Sequence, residues 1–377
     1  MAIELYLSAD YELFFAQNLL PPEQVLIDPT EQLLQACEAV DAPLTLFCDW
    51  ASLVRYRQWG EDAFVDAVEA QLKQAIARGH DVQLHLHPHW LRTERKPDGS
   101  FVFAPKDYLL GSYEEDPEQR YQSMVELIGQ GRDYFETLLQ PIESSYRCRT
   151  FRGGGYGIQP HTEQLFKALQ ACGMVVDSTV APGYRLTTDV HRVDFTSLVG
   201  RANAWYGVQQ GLASPCEPGE GLFEVPIGAA DLGEVSDWNP WPEALGRAWD
   251  TLRHGGPKYP PRGAPVGWQL EPPLPLMQRP KRAWWNLHAV RHRRYAKLEM
   301  QTSARLMRAV MQGHLSRERD YQGTHYLSIN SHPKGMQRDH MGALKQFVRG
   351  LQREHGAAIR FRTFRALADQ WGVSHHG

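Results

Sequence analysis

Short apolar runs take turns with amphipathic stretches through the first two-thirds of the chain, and this alternation limits the folds open to it more than any other feature. It is the pattern of βα units around a mostly parallel sheet or barrel. Strands are expected at 3–8, 43–48, 81–87, 148–152, 174–177 and 222–227. Between them, 61–78 reads as a helix because Val65, Val68, Leu72 and Ile76 recur every three to four residues, and Gly79 follows where a C-cap needs left-handed backbone. Residues 117–139 repeat the theme, with Pro117 near the start and Tyr121, Met124, Ile128, Phe135 and Leu138 along one side. A shorter helix is expected at 161–172, ended by Gly173.

From about 230 to 283 the pattern lapses into Pro, Gly and Trp, which suggests a long, semi-ordered insertion over one end of the fold. Residues 284–313 then read as one helix with a heavily basic beginning. Regular structure resumes with a strand at 325–329, a helix at 338–355, a strand at 358–362 and a helix at 363–371. A single domain over 1–377 is expected, with 230–324 as its insertion. Size and composition agree, since 377 residues with 42% hydrophobic and 22% charged side chains suffice for a large core. A formal charge of -4 gives no field for polyanions, so nucleic acid is not an expected partner. No apolar run nears the roughly 18 residues of a membrane span and no basic-apolar leader opens the chain, so a cytoplasmic location is expected. The cysteines at 37, 48, 148, 172 and 216 form no CxxC pair and read as reduced thiols.

Chemistry gathers in four segments. The densest is Gly79-His80-Asp81-Val82-Gln83-Leu84-His85-Leu86-His87-Pro88-His89, where a helix ends, a strand runs and Pro88 stops it. His85, His87 and His89 thus collect at a strand's C-terminal end, where (β/α) barrels build active sites. Neutral imidazoles are common ligands of zinc and similar ions, and three within five residues are hard to ascribe to packing. The first strand runs out into Asp10-Tyr11-Glu12. Acids after strands also serve as helix caps, but beside the histidines one could bind an ion and the other take a proton. Phe151-Arg152-Gly153-Gly154-Gly155-Tyr156-Gly157 follows another strand. Its glycines let backbone approach a ligand and aim N–H groups at an oxyanion, and Arg152 can pair with a carboxylate. It lacks both the phosphate-loop ending and the GxGxxG spacing. The fourth, Tyr326-Leu327-Ser328-Ile329-Asn330-Ser331-His332-Pro333, delivers His332 to a strand end, as a candidate proton donor to a leaving amine.

Taken in this order, the four segments resemble the polysaccharide deacetylase family, the NodB-homology carbohydrate esterases, and look closest to its cytoplasmic branch in surface-polysaccharide biosynthesis. The resemblance extends over 3–228 and 325–371. It implies an α/β fold, a distorted (β/α)7 barrel of NodB-homology type, a divalent ion, zinc above all, and removal of N-acetyl groups from sugars. By motif position it implies Glu12, His85 and His89 as metal ligands, with His87 on a non-ligand position. Asp10 would be the base, Arg152 its partner, Gly155 or Tyr156 the oxyanion donor and His332 the general acid. Val176-Asp177-Ser178-Thr179 and Phe223-Glu224-Val225-Pro226 are similar to two further family strands. The chain departs from the family at Tyr11, where most members carry a second aspartate, and in having glycines for prolines after Arg152. An N-acetylated sugar, glycan or sugar nucleotide is the expected substrate.

Two other readings stand beside this one. In a metal amidohydrolase of another barrel type, His85 and His87 would form the ligand pair. In a binding barrel without hydrolysis, Trp238, Trp241, Trp284 and Trp285 would stack on a glycan or simply pack. The basic stretch Arg282, Arg291, Arg293, Arg294 and Lys297 could meet a sugar nucleotide, a lipid-linked diphosphate or a peripheral membrane surface, or be a solvated helix face.

Overall fold

The computed structural model describes residues 2–14, 22–97, 101–201, 203–236, 238–255, 274–292, 294–318, 321, 323–336 and 338–372. Seven parallel strands form the barrel: β1 (Ala2–Tyr11), β2 (Leu44–Asp49), β3 (Asp81–Leu86), β4 (Thr150–Gly153), β5 (Val176–Asp177), β7 (Leu222–Glu224) and β8 (Thr324–Ile329). They pair in the order β7-β5-β4-β3-β2-β1-β8. The ring closes where Ile227, just past β7, bridges Ser328 of β8, with Ser328 N–H donating to Pro226 O and Gly228 N–H to Ser328 O, both at 2.9 Å. The fold is therefore a distorted (β/α)7 barrel. Two further strands, β6 (Trp205–Tyr206) and β9 (Ile359–Phe361), attach to β7 and β1.

Strand periodicity decides what faces the barrel axis. On β1 the odd positions Ile3, Leu5, Leu7, Ala9 and Tyr11 join the large core beneath the surrounding helices. So do Leu44, Leu46 and Cys48 of β2, and Val82, Leu84 and Leu86 of β3. The alternate residues turn inward. At the lower end of the barrel they are apolar: Tyr6, Phe47, Val176 and Phe223 pack with Phe364 and Leu367 of a C-terminal helix (Phe364–Gly372) that plugs it. Higher up the inward residues become Ser8, Asp10, Glu12, Asp49, His85, Arg152 and Ser328, all buried. A polar layer stacked on an apolar plug is the ground plan of the site.

The helices α1 (Asp28–Glu38), α2 (Trp50–Gln58), α3 (Asp62–Ala77), α4 (Pro117–Leu139) and α5 (Thr162–Ala171) follow the first strands. The 3.6-residue pattern located α3, α4 and α5 but passed over α1 and α2. The expected helix 284–313 is instead three elements. A helix, α7 (Arg279–His292), gives way to a strand at Tyr295–Lys297, and α8 (Ala304–Arg317) follows. The break occurs because Tyr295–Lys297 pairs antiparallel with Ala229–Asp231, and Ser303 Oγ then accepts the Leu306 N–H as the cap of α8. The insertion also contains an unexpected helix, α6 (Trp241–His254), packed on α7, while residues 256–273 lie outside the described residues.

A buried carboxyl pair ties β5 to β7. Asp177 and Glu224 sit side by side in register and are hydrogen-bonded to each other. Thr179 donates its N–H and hydroxyl to Asp177, and the Val180 N–H reaches Glu224 Oε1. Burial, then the Asp177 charge, push the Glu224 carboxyl well above its usual range, which favours its protonated form. A raised acid stabilises the fold below its unfolded value, and that contribution is lost as pH rises above the ordinary carboxyl range. The slope is up to about 1.4 kcal/mol per pH unit. Glu224→Gln keeps a neutral donor, so urea midpoints measured against pH should fall less steeply than in the parent; parallel curves would show that the proton is not there.

Candidate metal centre and catalytic site

Every residue of the site arrives at the C-terminal mouth of the barrel. Glu12 lies just past β1, and its neighbour Tyr11 points the other way, donating its hydroxyl to Gln71 of α3 at 2.7 Å. Glu12 Oε2 stands 3.3 Å from His85 Nε2 and 2.5 Å from His87 Nε2. The donor atoms of Glu12, His85 and His87 lie within 4.8 Å of one another, and all three residues are buried. His85 Nδ1 is 2.9 Å from the Arg152 carbonyl oxygen. A carbonyl only accepts, so Nδ1 carries a proton, and Nε2 is the ring atom left toward Glu12 that could ligate an ion. The donor set could therefore hold a metal ion.

His89, expected as the third ligand, is not in this group. Pro88 starts a 3-10 turn, Pro88–Arg92, that ends the two-residue alternation, and the His89 ring lies beside that of His87, centroids 5.4 Å apart. Its ring stacks between Tyr108 and Trp90, with centroids at 5.2 and 5.3 Å, and burial followed by the His87 charge hold it well below the usual histidine range. His87, assigned by motif position to a non-ligand place, occupies the position beside Glu12, its N–H donating to Asp49 Oδ1 at 3.0 Å. The glycines after Arg152 make room for it, since a Cβ on Gly154 would come within 2.6 Å of the His87 ring. On this geometry His87→Ala is expected to lower metal affinity by at least about 10-fold, while His89→Ala leaves it near the parent value. Metal content after dialysis separates them, and the reverse result would return His89 to the ligand set.

Asp10 is clamped on both oxygens. Arg152 Nη1 donates to Oδ1 at 2.9 Å and Asn330 Nδ2 to Oδ2 at 3.2 Å. Burial opposes its ionisation, but Arg152, His85 and His332 outweigh it and hold the carboxyl below its usual range. Arg152 spends its other donors on Ser178 O at 2.7 Å, Ser178 Oγ at 3.0 Å and Asn330 Oδ1 at 3.2 Å, with its guanidinium 4.0 Å over the Phe47 ring. His332 Nε2 lies 3.4 Å from both Asp10 Oδ2 and Glu12 Oε1. Burial keeps its ring below the usual histidine value despite those two acids.

Three residues that the sequence reading passed over belong here. Asn330 links Asp10 to Arg152, and Asp49 fixes the His87 backbone. Lys334 donates to Glu12 Oε1 and to Leu13 O, both at 2.8 Å. A cleft of about 400 Å³ lined by Phe14, Gln301, His332, Lys334, Gly335 and His340 opens beside them. On the other side stands an aromatic wall in which Tyr156, with φ of 60°, packs on Tyr184, and its hydroxyl meets Lys297 Nζ.

No family model and no curated protein sequence matches this chain. Among solved structures it is distantly similar to a protein from Mycobacterium smegmatis assigned as a polysaccharide deacetylase, at 11% identity and TM-score 0.48, covering 99% of this chain and 91% of that one. The allantoinase PuuE aligns at 12% identity and TM-score 0.44, with 99% and 91% covered. A protein from Pseudomonas aeruginosa PAO1, also assigned as a polysaccharide deacetylase, gives 13%, 0.43, 99% and 92%.

Proposed function

We propose that this chain is a metal-dependent hydrolase that removes the N-acetyl group from a sugar, glycan or sugar nucleotide. The observation that carries the reading is one cluster: a buried Glu12-His85-His87 donor set beside a clamped, ionised Asp10, with His332 3.4 Å from both carboxylates. A cation of the zinc class held there would supply Lewis-acid polarisation of the acetamide oxygen. Asp10 takes the proton of the attacking water, because Arg152 and Asn330 fix its orientation and keep it charged. His332 gives a proton to the departing nitrogen. The backbone N–H of Gly155 or Tyr156 would stabilise the developing oxyanion. Acetate release from N-acetylglucosamine oligomers and from a UDP-linked N-acetylhexosamine tests this reading. Activity abolished by chelation and restored by zinc supports it; metal-loaded protein that releases no acetate from any N-acetylated sugar does not.

A second reading is favoured by the pairing of His85 with His87, one residue apart on one strand face. It takes the site as an amidohydrolase acting on another C–N bond, such as a cyclic ureide of the kind an allantoinase opens. Turnover of allantoin without acetate release would select it.

A further inference from the structure

Among the described residues, four tryptophans of the insertion are exposed: Trp241 at 49%, Trp249 at 65%, Trp284 at 56% and Trp285 at 57%. On α6, Trp241, Leu245, Trp249 and Leu252 fall at i, i+4, i+8 and i+11 and so share one face, left open to solvent. The neighbouring face, Ala244, Ala248 and Thr251, is buried, and Asn286 of α7 donates to Thr251 Oγ1 at 2.8 Å. Leu276 and Met277, exposed at 75% and 92%, lead into α7. A soluble surface rarely leaves so many large apolar side chains together unless something covers them.

Charge identifies the cover. Between 274 and 298 the chain carries seven arginines and lysines and no aspartate or glutamate. Lys281 and Arg282 are exposed, and Arg294, exposed at 71% of its side chain, lies 3.4 Å from Asp231 Oδ1; the Arg291 and Arg293 side chains lie outside the described residues. Among the described residues no helix is long and apolar enough to cross a membrane. Exposed tryptophans beside an acid-free basic segment match the headgroup layer of an anionic bilayer, where indole rings settle at the interface and each Lys or Arg adds attraction.

We propose that α6 and α7 form an interfacial element that seats the protein on a bilayer bearing anionic phospholipid. The element is rooted at the mouth of the barrel. It leaves after β7 and returns through Tyr295–Lys297, whose Lys297 meets Tyr156 of the glycine loop. The proposal does not depend on the reaction catalysed.

Co-sedimentation of the full chain with phosphatidylcholine vesicles, with and without phosphatidylglycerol, tests it. Binding is expected only to the anionic vesicles and should weaken with salt. Trp241→Ser, Leu245→Ser and Trp249→Ser together, and separately Lys281→Glu with Arg282→Glu, should each lower binding by at least about tenfold. Thermal melts establish that both variants are folded. Because Lys281 and Arg282 are exposed, the charge pair decides the matter even if the triple variant unfolds. Equal sedimentation with both vesicle types, or undiminished binding by the charge variant, overturns the proposal. So does a concentration-dependent dimer, abolished by the triple variant, in a chain that ignores vesicles.

Discussion

Asp10→Asn is expected to lower turnover by about 10²- to 10⁴-fold while the bound metal stays in place. The asparagine keeps an oxygen for Arg152 Nη1, now 2.9 Å from Asp10 Oδ1. It cannot accept a proton from water, so the loss falls on kcat. Its Nδ2 must face Asn330 Nδ2, which donates to Asp10 Oδ2 at 3.2 Å, and two donors cannot bond each other. Turning Asn330 over does not help, because its Oδ1 already accepts from Arg152 and from the Ser331 N–H. One buried hydrogen bond is lost, and about 1–3 kcal/mol of stability with it. Metal content and kcat measured on the same preparation separate the outcomes. Normal turnover would remove Asp10 as the base, and a lost metal would make it a ligand.

Much of this site is visible in the sequence once a strand's period of two is taken seriously. Leu5, Leu7 and Ala9 alternate with Tyr6, Ser8 and Asp10, and Leu327 and Ile329 with Ser328 and Asn330, so one set must face helices and the other the barrel axis. The same rule that delivers His332 delivers Asn330 two residues earlier. His89, read as a ligand, lies outside the Glu12-His85-His87 group because four-residue spacing from His85 keeps a common face only while the strand continues, and Pro88 begins a turn. Lys334 lies in the turn Pro333–Gly335, where no periodicity exists to place it. The insertion was obscure for another reason. Residues 284–313 have local preferences compatible with one helix, and only pairing with Ala229–Asp231, far earlier in the chain, forces a strand into the middle. In α6, the prolines around Trp241 hid an amphipathic period whose apolar side is half covered by α7 and half left open.

Arg152→Met is expected to cost about 3–5 kcal/mol of folding stability, the largest single loss from any substitution in the site. Arg152 is 2% exposed and binds Asp10, Asn330 and Ser178 from three separate strand ends. A hydrophobic residue of similar reach fills the space over Phe47 but leaves the Asp10 carboxylate buried with Asn330, histidine and the like-charged Glu12 near it. Burial, the larger influence on Asp10, then prevails, and the acid would protonate or draw in water. Arg152→Lys restores a positive charge but not the planar fork, so it should recover part of the stability and little of the turnover, since Asp10 is no longer aimed. Urea unfolding of the parent, Arg152→Met, Asp10→Asn and the double variant closes a cycle. In the double variant the stranded charge is gone, so the two losses should sum to more than the loss observed. Additive losses, or a cost below about 1 kcal/mol for Arg152→Met, would mean that the pair is not what holds the polar layer together.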